Sequence, residues 1–126
     1  MKVTAILCMN ALEPSIEFWT NRFGFQLTVS VPHGGTIGFA ILQKGNAELM
    51  LQSHASSAED LTSLADHCRD SKSVLFVEVD DFDDLLPRLA GLPVALEERT
   101  TFYGMREIGI FDPGGHLVIF AAPTQR

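Results

Sequence analysis

The sequence predicts an α+β fold in which two βαβββ modules form a curved mixed sheet around a central groove. Strand and helix signals occur in the order strand, helix, three strands, and this order is then repeated. The two halves match at an offset of 70 residues, so that Val3–Met9 falls on Ser73–Val79 and Gly45-Asn46 falls on Gly115-His116. Each half is too small to bury its own sheet, and we therefore expect the two halves to pair.

The first module, residues 1–54, opens with an apolar strand followed by an amphipathic helix. Pro14 lies in the first turn of this helix, where a missing N–H costs little, and Gly24 ends the helix as a left-handed cap. Three apolar side chains recur at helical spacing and form one face: Ile16, Trp19 and Phe23. The predicted strands of this module are Val3–Met9, Gln26–Val31, Thr36–Leu42 and Ala47–Ser53.

A polar connector, residues 55–72, links the two modules and contains one predicted short helix, Ala58–Cys68. The second module spans residues 73–126. We expect the whole chain, 1–126, to be a single domain made of these two repeats, because its length is that of one domain.

In the second module, Asp80 and Asp81 predict the N-terminus of a helix that runs to about Leu89. Capping and the helix dipole explain the carboxylate cluster that begins there without invoking catalysis. Pro87 argues against a regular helix over the full length, because an interior proline breaks the hydrogen-bond ladder. The predicted strands are Ser73–Val79, Val94–Arg99, Met105–Phe111 and Leu117–Ala121.

Composition and charge exclude several classes of function. Hydrophobic residues make up 46% of the chain, which is enough for a core, and 9 Lys+Arg against 16 Asp+Glu give a net charge of −7. Nucleic acid is therefore not an expected partner, whereas a cationic small ligand is favoured by the overall field. No stretch approaches the roughly 18 uninterrupted apolar residues that a membrane span needs. Cys8 and Cys68 form neither a CxxC pair nor a disulfide framework, so we expect a cytoplasmic, reduced protein.

Three segments carry a resemblance to a known family: Ile16–Phe25, Ser73–Asp81 and, most specifically, Tyr103–Phe120. In the last of these, a glycine-aromatic step, a strand and an Asp-Pro-x-Gly hairpin occur in a fixed register. The chain resembles the vicinal oxygen chelate superfamily, which includes glyoxalase I, extradiol dioxygenases, fosfomycin-resistance enzymes and bleomycin-resistance proteins. It is most similar to the metal-free subgroup of bleomycin-resistance-like proteins. Since one fold hosts many functions, the resemblance alone does not settle the activity.

The enzymes of this superfamily hold a divalent metal with His and Glu side chains, and the resemblance places those positions in four strands of this chain. The matching residues are Thr4, Leu49, Val74 and Ile119, with Glu48 or Met50 replacing Leu49 if the register shifts by one. At least three of the four positions lack a useful donor, so we expect no metal, no cofactor and no catalytic residues. The histidines are interpreted as solvated loop residues: His33, His54, His67 and His116.

Apolar and aromatic side chains are the candidate lining of a ligand-binding groove. They are Phe39, Met50, Phe76, Phe102 and Tyr103. The resemblance favours Tyr103 most, because bleomycin-binding relatives place an aromatic ring there that stacks on a planar ligand.

Two glutamates are candidate polar contacts in the same groove. Glu78 shares the alternation face of Val74 and Phe76. Of Arg106 and Glu107 only one can face the groove, and Glu107 is favoured because Ile108 and Ile110 lie on the other face. Whichever charge faces inward needs a ligand or an opposite charge, since an unpaired buried charge is costly.

These observations favour metal-independent binding and sequestration of a small planar, hydrophobic molecule, cationic for preference, such as a bleomycin-type antibiotic. The alternative is a glyoxalase- or dioxygenase-like metalloenzyme with an atypical metal site. A regulatory dimer whose groove binds nothing tightly is a third possibility. The resemblance also implies a homodimer, and an apolar strand edge left exposed would be a liability.

Overall fold

The computed structural model describes residues 1–124, and their packing divides the chain into two compact units. Unit 1 comprises Met1–Lys72 together with Pro113–Gly115, and unit 2 comprises Ser73–Asp112 and the segment from His116 onward. The last two residues of the predicted second module lie outside the described residues.

Unit 1 contains one four-stranded sheet and most of the helical residues. Its strands are β1 (Ala5–Met9), β2 (Gln26–His33), β3 (Thr36–Lys44) and β4 (Ala47–Ser53), in the spatial order β1-β4-β3-β2. Its helices are α1 (Glu13–Glu17), continued by a π-helical turn (Phe18–Arg22), then α2 (His54–Asp60), a 3-10 turn (Thr62–Leu64) and α3 (Ala65–Asp70). Strand β1 is parallel to β4, and the other neighbours are antiparallel.

Unit 2 repeats the same topology. Its strands are β5 (Val74–Glu78), β6 (Val94–Thr100), β7 (Met105–Phe111) and β8 (Leu117–Pro123), in the order β5-β8-β7-β6. One helical segment follows β5, consisting of α4 (Phe82–Leu85) and a 3-10 turn (Leu86–Leu89). The predicted α+β class with two βαβββ modules is confirmed, and each module forms its own four-stranded mixed sheet.

Local signals explain where several elements end. Gly24 has a φ of +74° and its N–H donates to the Thr20 carbonyl oxygen at 3.2 Å, which ends the first helix in a left-handed conformation. The Asp81 carboxylate accepts from the N–H groups of Asp83 and Asp84 at 3.0 and 3.2 Å and so caps α4. The helix narrows to 3-10 geometry at Leu86, immediately before the proline.

Side chains alternate along the strands, so each sheet has a buried face and an opposite face that we call its open face. The buried face of unit 1 carries Leu7, Ala40, Leu42, Leu49 and Leu51, and that of unit 2 carries Ile108, Ile110, Val118 and Phe120. The open face of unit 1 carries Ile6, Phe39, Ile41, Glu48 and Met50. The open face of unit 2 carries Val74, Phe76, Glu78, Glu107, Leu117 and Ile119.

Within residues 1–124, the helices are too short and too polar for any of them to cross a membrane.

Candidate functional site

Strand β5 presents an exposed strip on the open face of unit 2. Val74 and Phe76 are 63% and 51% exposed, and Glu78 at the end of the strand is exposed as well. Their neighbours on β8 are apolar: Leu117 lies beside Val74, and Ile119 lies beside Phe76. The strip therefore offers an aromatic ring and a carboxylate two residues apart, beside a row of apolar side chains on β8.

Glu107 lies on the same face, and its negative charge is balanced by Arg99. Its residue is 2% exposed, and it stands opposite Arg99 in the β6–β7 ladder. Two N–H groups of the Arg99 guanidinium, Nε–H and Nη2–H, donate to Glu107 Oε1 at 2.7 and 2.6 Å. A buried carboxylate requires such a partner. From the sequence we expected either a ligand or an opposite charge here, and Arg99 was not identified as that partner. The register of the β6–β7 hairpin, which places Arg99 opposite Glu107, was the signal that could have found it.

Arg106 lies on the other face of β7. Its guanidinium carbon is 4.4 Å from the centre of the Phe82 ring, which belongs to α4. It also pairs with Asp83 at 3.1 Å and Glu98 at 3.0 Å, and the hydrogen bonds to Glu98 and Asp83 raise the pKa of the arginine. Of the two alternatives left by the sequence, Arg106 is therefore on the helix-covered face and Glu107 is on the opposite one.

Phe102 and Tyr103 form an exposed aromatic pair at the turn between β6 and β7. They are 101% and 59% exposed, and their rings meet edge-to-face with centroids 5.1 Å apart. The turn is closed by the Thr101 N–H, which donates to the Met105 carbonyl oxygen at 2.8 Å. Gly104 completes it with a φ of +86°. Two large aromatic rings are thus held in solvent on an ordered turn.

The open face of unit 1 brings the other two predicted lining residues together. Met50 lies beside Ile41 and Ile6, and Phe39 lies one pair further along, beside Gln52. Phe39 and Met50 are both half-buried, and Ile6 is 48% exposed. This surface is apolar and partly accessible to solvent.

The ladder decides which residue of β4 occupies the position that the family uses for a metal ligand. Leu49 is buried between Ala5 and Leu42, so Glu48 is the residue of that pair on the open face. Its carboxylate is surrounded by donors: Lys2 Nζ at 2.9 Å and Thr4 Oγ1 at 3.0 Å on Oε1, and Gln43 Nε2 at 2.5 Å on Oε2. Hydrogen bonds, from Lys2 above all, lower the pKa of Glu48.

These residues do not fit the metal that the enzymes of the family hold. The Thr4 hydroxyl donates its hydrogen bond to Glu48. The Glu48 carboxylate in turn pairs with the Lys2 ammonium group and accepts a hydrogen bond from the Gln43 amide. Val74 and Ile119 have no donor atom. In the part of the chain that the structure describes, no group of three or more His, Cys, Asp or Glu side chains could hold a metal ion.

His116 corrects the interpretation of the histidines as solvated loop residues. Its side chain is 1% exposed, and its Nδ1 accepts the Ser73 N–H at 2.9 Å. Its own N–H donates to Asp112 Oδ1 at 3.0 Å. Burial follows because the imidazole satisfies the backbone of the segment that leads into β5. The other three are not fully buried, and the His33 Nδ1 lies 3.2 Å from Glu59.

Comparison with known proteins agrees with this architecture. The structure of lactoylglutathione lyase from Agrobacterium tumefaciens aligns with a TM-score of 0.78 at 19% identity, covering 97% of this chain and 92% of that one. TioX from Micromonospora sp. ML1 aligns with a TM-score of 0.75 at 20% identity, covering 98% of each chain. A family enzyme from Burkholderia phytofirmans PsJN reaches 0.76 at 20% identity, covering 95% and 96%. At such identities these likenesses show the fold alone.

The search of curated proteins gave no significant match. The family model of the Glyoxalase/Bleomycin resistance protein/Dioxygenase superfamily matches residues 3–120. That range begins before β1 and ends within β8, so it covers nearly all of both βαβββ modules. The chain therefore belongs to the glyoxalase, bleomycin resistance protein and dioxygenase superfamily, the vicinal oxygen chelate proteins.

Proposed function

We propose that the protein binds and sequesters a small planar, hydrophobic molecule without using a metal ion, and that a cation such as a bleomycin-type antibiotic is the preferred ligand. The observation that carries the proposal is the β5 strip, where exposed Phe76 and exposed Glu78 stand two residues apart on one face of the sheet. A flat cation uses both groups, because its ring stacks on Phe76 while its charge is attracted to the carboxylate.

The pairing of the open-face glutamates supports Glu78 as the charge-selecting residue. Glu48 is neutralised by Lys2, and Glu107 is neutralised by Arg99. Glu78 is exposed at the end of its strand. A cationic ligand therefore gains the strongest electrostatic attraction at Glu78. Glu107 is buried in the same face, where its ion pair with Arg99 stabilises the sheet.

The aromatic turn supports the same ligand class. Phe102 and Tyr103 stand in solvent, although burying aromatic rings is favourable, and this exposure is typical of a contact surface. Phe39 and Met50 supply a second apolar surface in unit 1. A hydrophobic, planar ligand would cover such side chains at little cost in desolvation.

The experiment that tests the proposal is an amide chemical-shift titration of the ¹⁵N-labelled protein with metal-free bleomycin. We expect the largest shifts in β5, around Phe76 and Glu78, and in the turn that carries Tyr103. A second titration with the planar anion anilinonaphthalene sulfonate separates cation preference from general hydrophobic binding. Shifts confined to other elements, or no shifts with either compound, would contradict the proposal.

Metal content separates this function from the metalloenzyme alternative. Untagged protein is dialysed against a divalent-metal mixture, and its metal content is then measured by mass spectrometry. We expect no stoichiometric ion, because Thr4, Val74 and Ile119 supply no adequate ligands. One bound divalent ion per chain would instead support an atypical metalloenzyme.

We further propose that the protein acts in the cytoplasm as a homodimer, as the family resemblance implies. Exposed apolar side chains on the open faces, outside the β5 strip, support a partner surface: Ile6, Val29, Val31 and Phe111. Light scattering at micromolar concentration is expected to give twice the mass of one chain. A monomeric mass would contradict the dimer without touching the ligand proposal.

A further inference from the structure

The two cysteines lie together in unit 1, although they are sixty positions apart in the sequence. Cys8 is the fourth residue of β1 and Cys68 is in α3, and both are buried in the reduced thiol form. Helix α3 contacts β1. Burial and, after it, the neighbouring Cys68 side chain raise the pKa of the Cys8 thiol. Neither residue belongs to the lining proposed for the ligand.

The burial of Cys8 shows that the connector helices cover one end of the open face of unit 1. Cys8, Gln52 and Phe39 form one row across β1, β4 and β3, and they share the open face. Cys8 and Gln52 are nevertheless buried, at 7% and 5% exposure. Gln52 Nε2 donates to Ser56 Oγ of α2 at 3.3 Å, and α2 contacts all three strands. The connector helices therefore cover this end of the open face and leave Phe39 at their border.

We propose that Cys8 and Cys68 form a reversible disulfide that fixes α3 onto β1 and so holds this cover in place. The disulfide would join β1 to α3, two elements that are already in contact in the reduced protein and that each carry one buried cysteine. Closing a chain loop of this length removes conformational freedom from the unfolded state and stabilises the native one.

The oxidation balances with a low-molecular-weight disulfide as the oxidant. The Cys68 thiolate attacks one sulfur of glutathione disulfide, forming a mixed disulfide and releasing one glutathione thiolate. The Cys8 thiol then loses its proton and attacks Cys68 Sγ, forming the Cys8–Cys68 bond and releasing the second glutathione. Two protein thiols lose two electrons and two protons, and one glutathione disulfide becomes two glutathione molecules.

The local environment assigns the order of these steps. Cys68 lies in a helix whose neighbours on both sides, His67 and Arg69, are exposed, so brief opening of α3 admits the oxidant. Cys8 is held in a strand, and burial followed by the contact with Cys68 raises the pKa of its thiol. Cys8 therefore reacts as the resolving thiol, once Cys68 has been activated.

The test treats the full chain with glutathione disulfide and follows intact mass, free thiols and thermal unfolding. We expect a loss of about 2 Da, no thiol available to an alkylating reagent after denaturation, and a rise in Tm of roughly 5–10 °C. Dithiothreitol should reverse all three changes. The matched controls are Cys8→Ser and Cys68→Ser, each of which should retain one thiol and show no rise in Tm on oxidation.

Three results would overturn the proposal. The first is two fully alkylatable thiols after prolonged oxidation, and the second is a glutathione adduct that does not proceed to the internal disulfide. The third is a disulfide found only between two chains on non-reducing electrophoresis. If the serine variants unfold, the mass and thiol measurements on the natural sequence still decide the question.

Discussion

Arg99 and Glu107 stand opposite each other on β6 and β7, and two N–H groups of the guanidinium converge on a single oxygen of the buried carboxylate. The arginine side chain is 57% exposed, whereas the glutamate side chain is 3% exposed. The pair thus places its negative member inside the face of the sheet and its positive member at the rim. This arrangement lets an acidic residue occupy an otherwise apolar surface.

Removing the arginine should destabilise unit 2. Arg99→Ala leaves a buried carboxylate without its partner, and we expect a loss of about 1–3 kcal/mol, less than for a fully buried pair because Arg99 is half in solvent. Urea unfolding followed by circular dichroism gives the value. Arg69→Ala, which removes the same charge from the exposed surface of α3, should change the free energy of unfolding by less than about 0.5 kcal/mol. Equal effects of the two variants would show that net charge matters and the pair does not.

The Glu48 cluster predicts a pH dependence with a definite sign. The pKa of Glu48 is lowered in the folded protein by Lys2, Gln43 and Thr4, in that order. Such a group stabilises the protein above its unfolded pKa, and this contribution is lost as the pH falls through the folded value. We therefore expect acid to lower the free energy of unfolding less steeply in Glu48→Gln than in the natural sequence.

A direct measurement checks the cause. Carboxyl NMR titration of Lys2→Ala should show a higher pKa for Glu48 than the natural protein does. Glu13 is the internal reference, because its pKa is lowered mainly by the Ile37 N–H and should not respond to the loss of Lys2. An unchanged pKa of Glu48 in the variant would contradict the assignment.

Gly109 should tolerate no side chain. A Cβ at this position would lie 2.8 Å from the Cβ of Leu96 and 3.5 Å from Leu117 Cδ1. We expect Gly109→Ala to cost about 1–3 kcal/mol, because the strands must separate to admit the methyl group. Thermal unfolding measures the loss. Gly35→Ala is the control, since nothing lies within 4 Å of its Cβ position; a similar loss in both would refute the packing argument.

Sequence reasoning succeeded where the signal is local. Gly24 and Asp81 were predicted as a helix end and a helix start because glycine tolerates a positive φ and aspartate accepts from free N–H groups. Gly45, with a φ of +57°, lies in the turn between β3 and β4, the two strands predicted at Thr36–Leu42 and Ala47–Ser53. The repeat at an offset of 70 residues predicted the two-module architecture, and both modules do have the same strand order.

Sequence reasoning failed where the environment of a residue depends on a contact with a residue that is distant in the chain. The burial of His116 depends on Ser73, which is 43 residues away. The choice between Leu49 and Glu48 depends on the register with β1, which alternation within β4 leaves open. The π-helical turn at Phe18–Arg22 was missed because its apolar spacing is compatible with an ordinary helix.

The central claim is that the open face of unit 2, at the β5 strip, binds a planar cation without a metal ion. Calorimetric titration of metal-free bleomycin into the chelator-treated protein tests it most directly, with Phe76→Ala and Glu78→Gln as variants. Leu64→Ala and Glu59→Gln are the matched controls, because both residues are exposed in the connector of unit 1.

We predict saturable binding in the presence of chelator. Each β5 variant should weaken it by about five- to tenfold, as expected for the loss of one stacking or charge contact of roughly 1 kcal/mol. The control variants should leave the Kd unchanged. No heat with the natural sequence, binding that appears only when a divalent metal is added, or equal affinity in all four variants would contradict the claim.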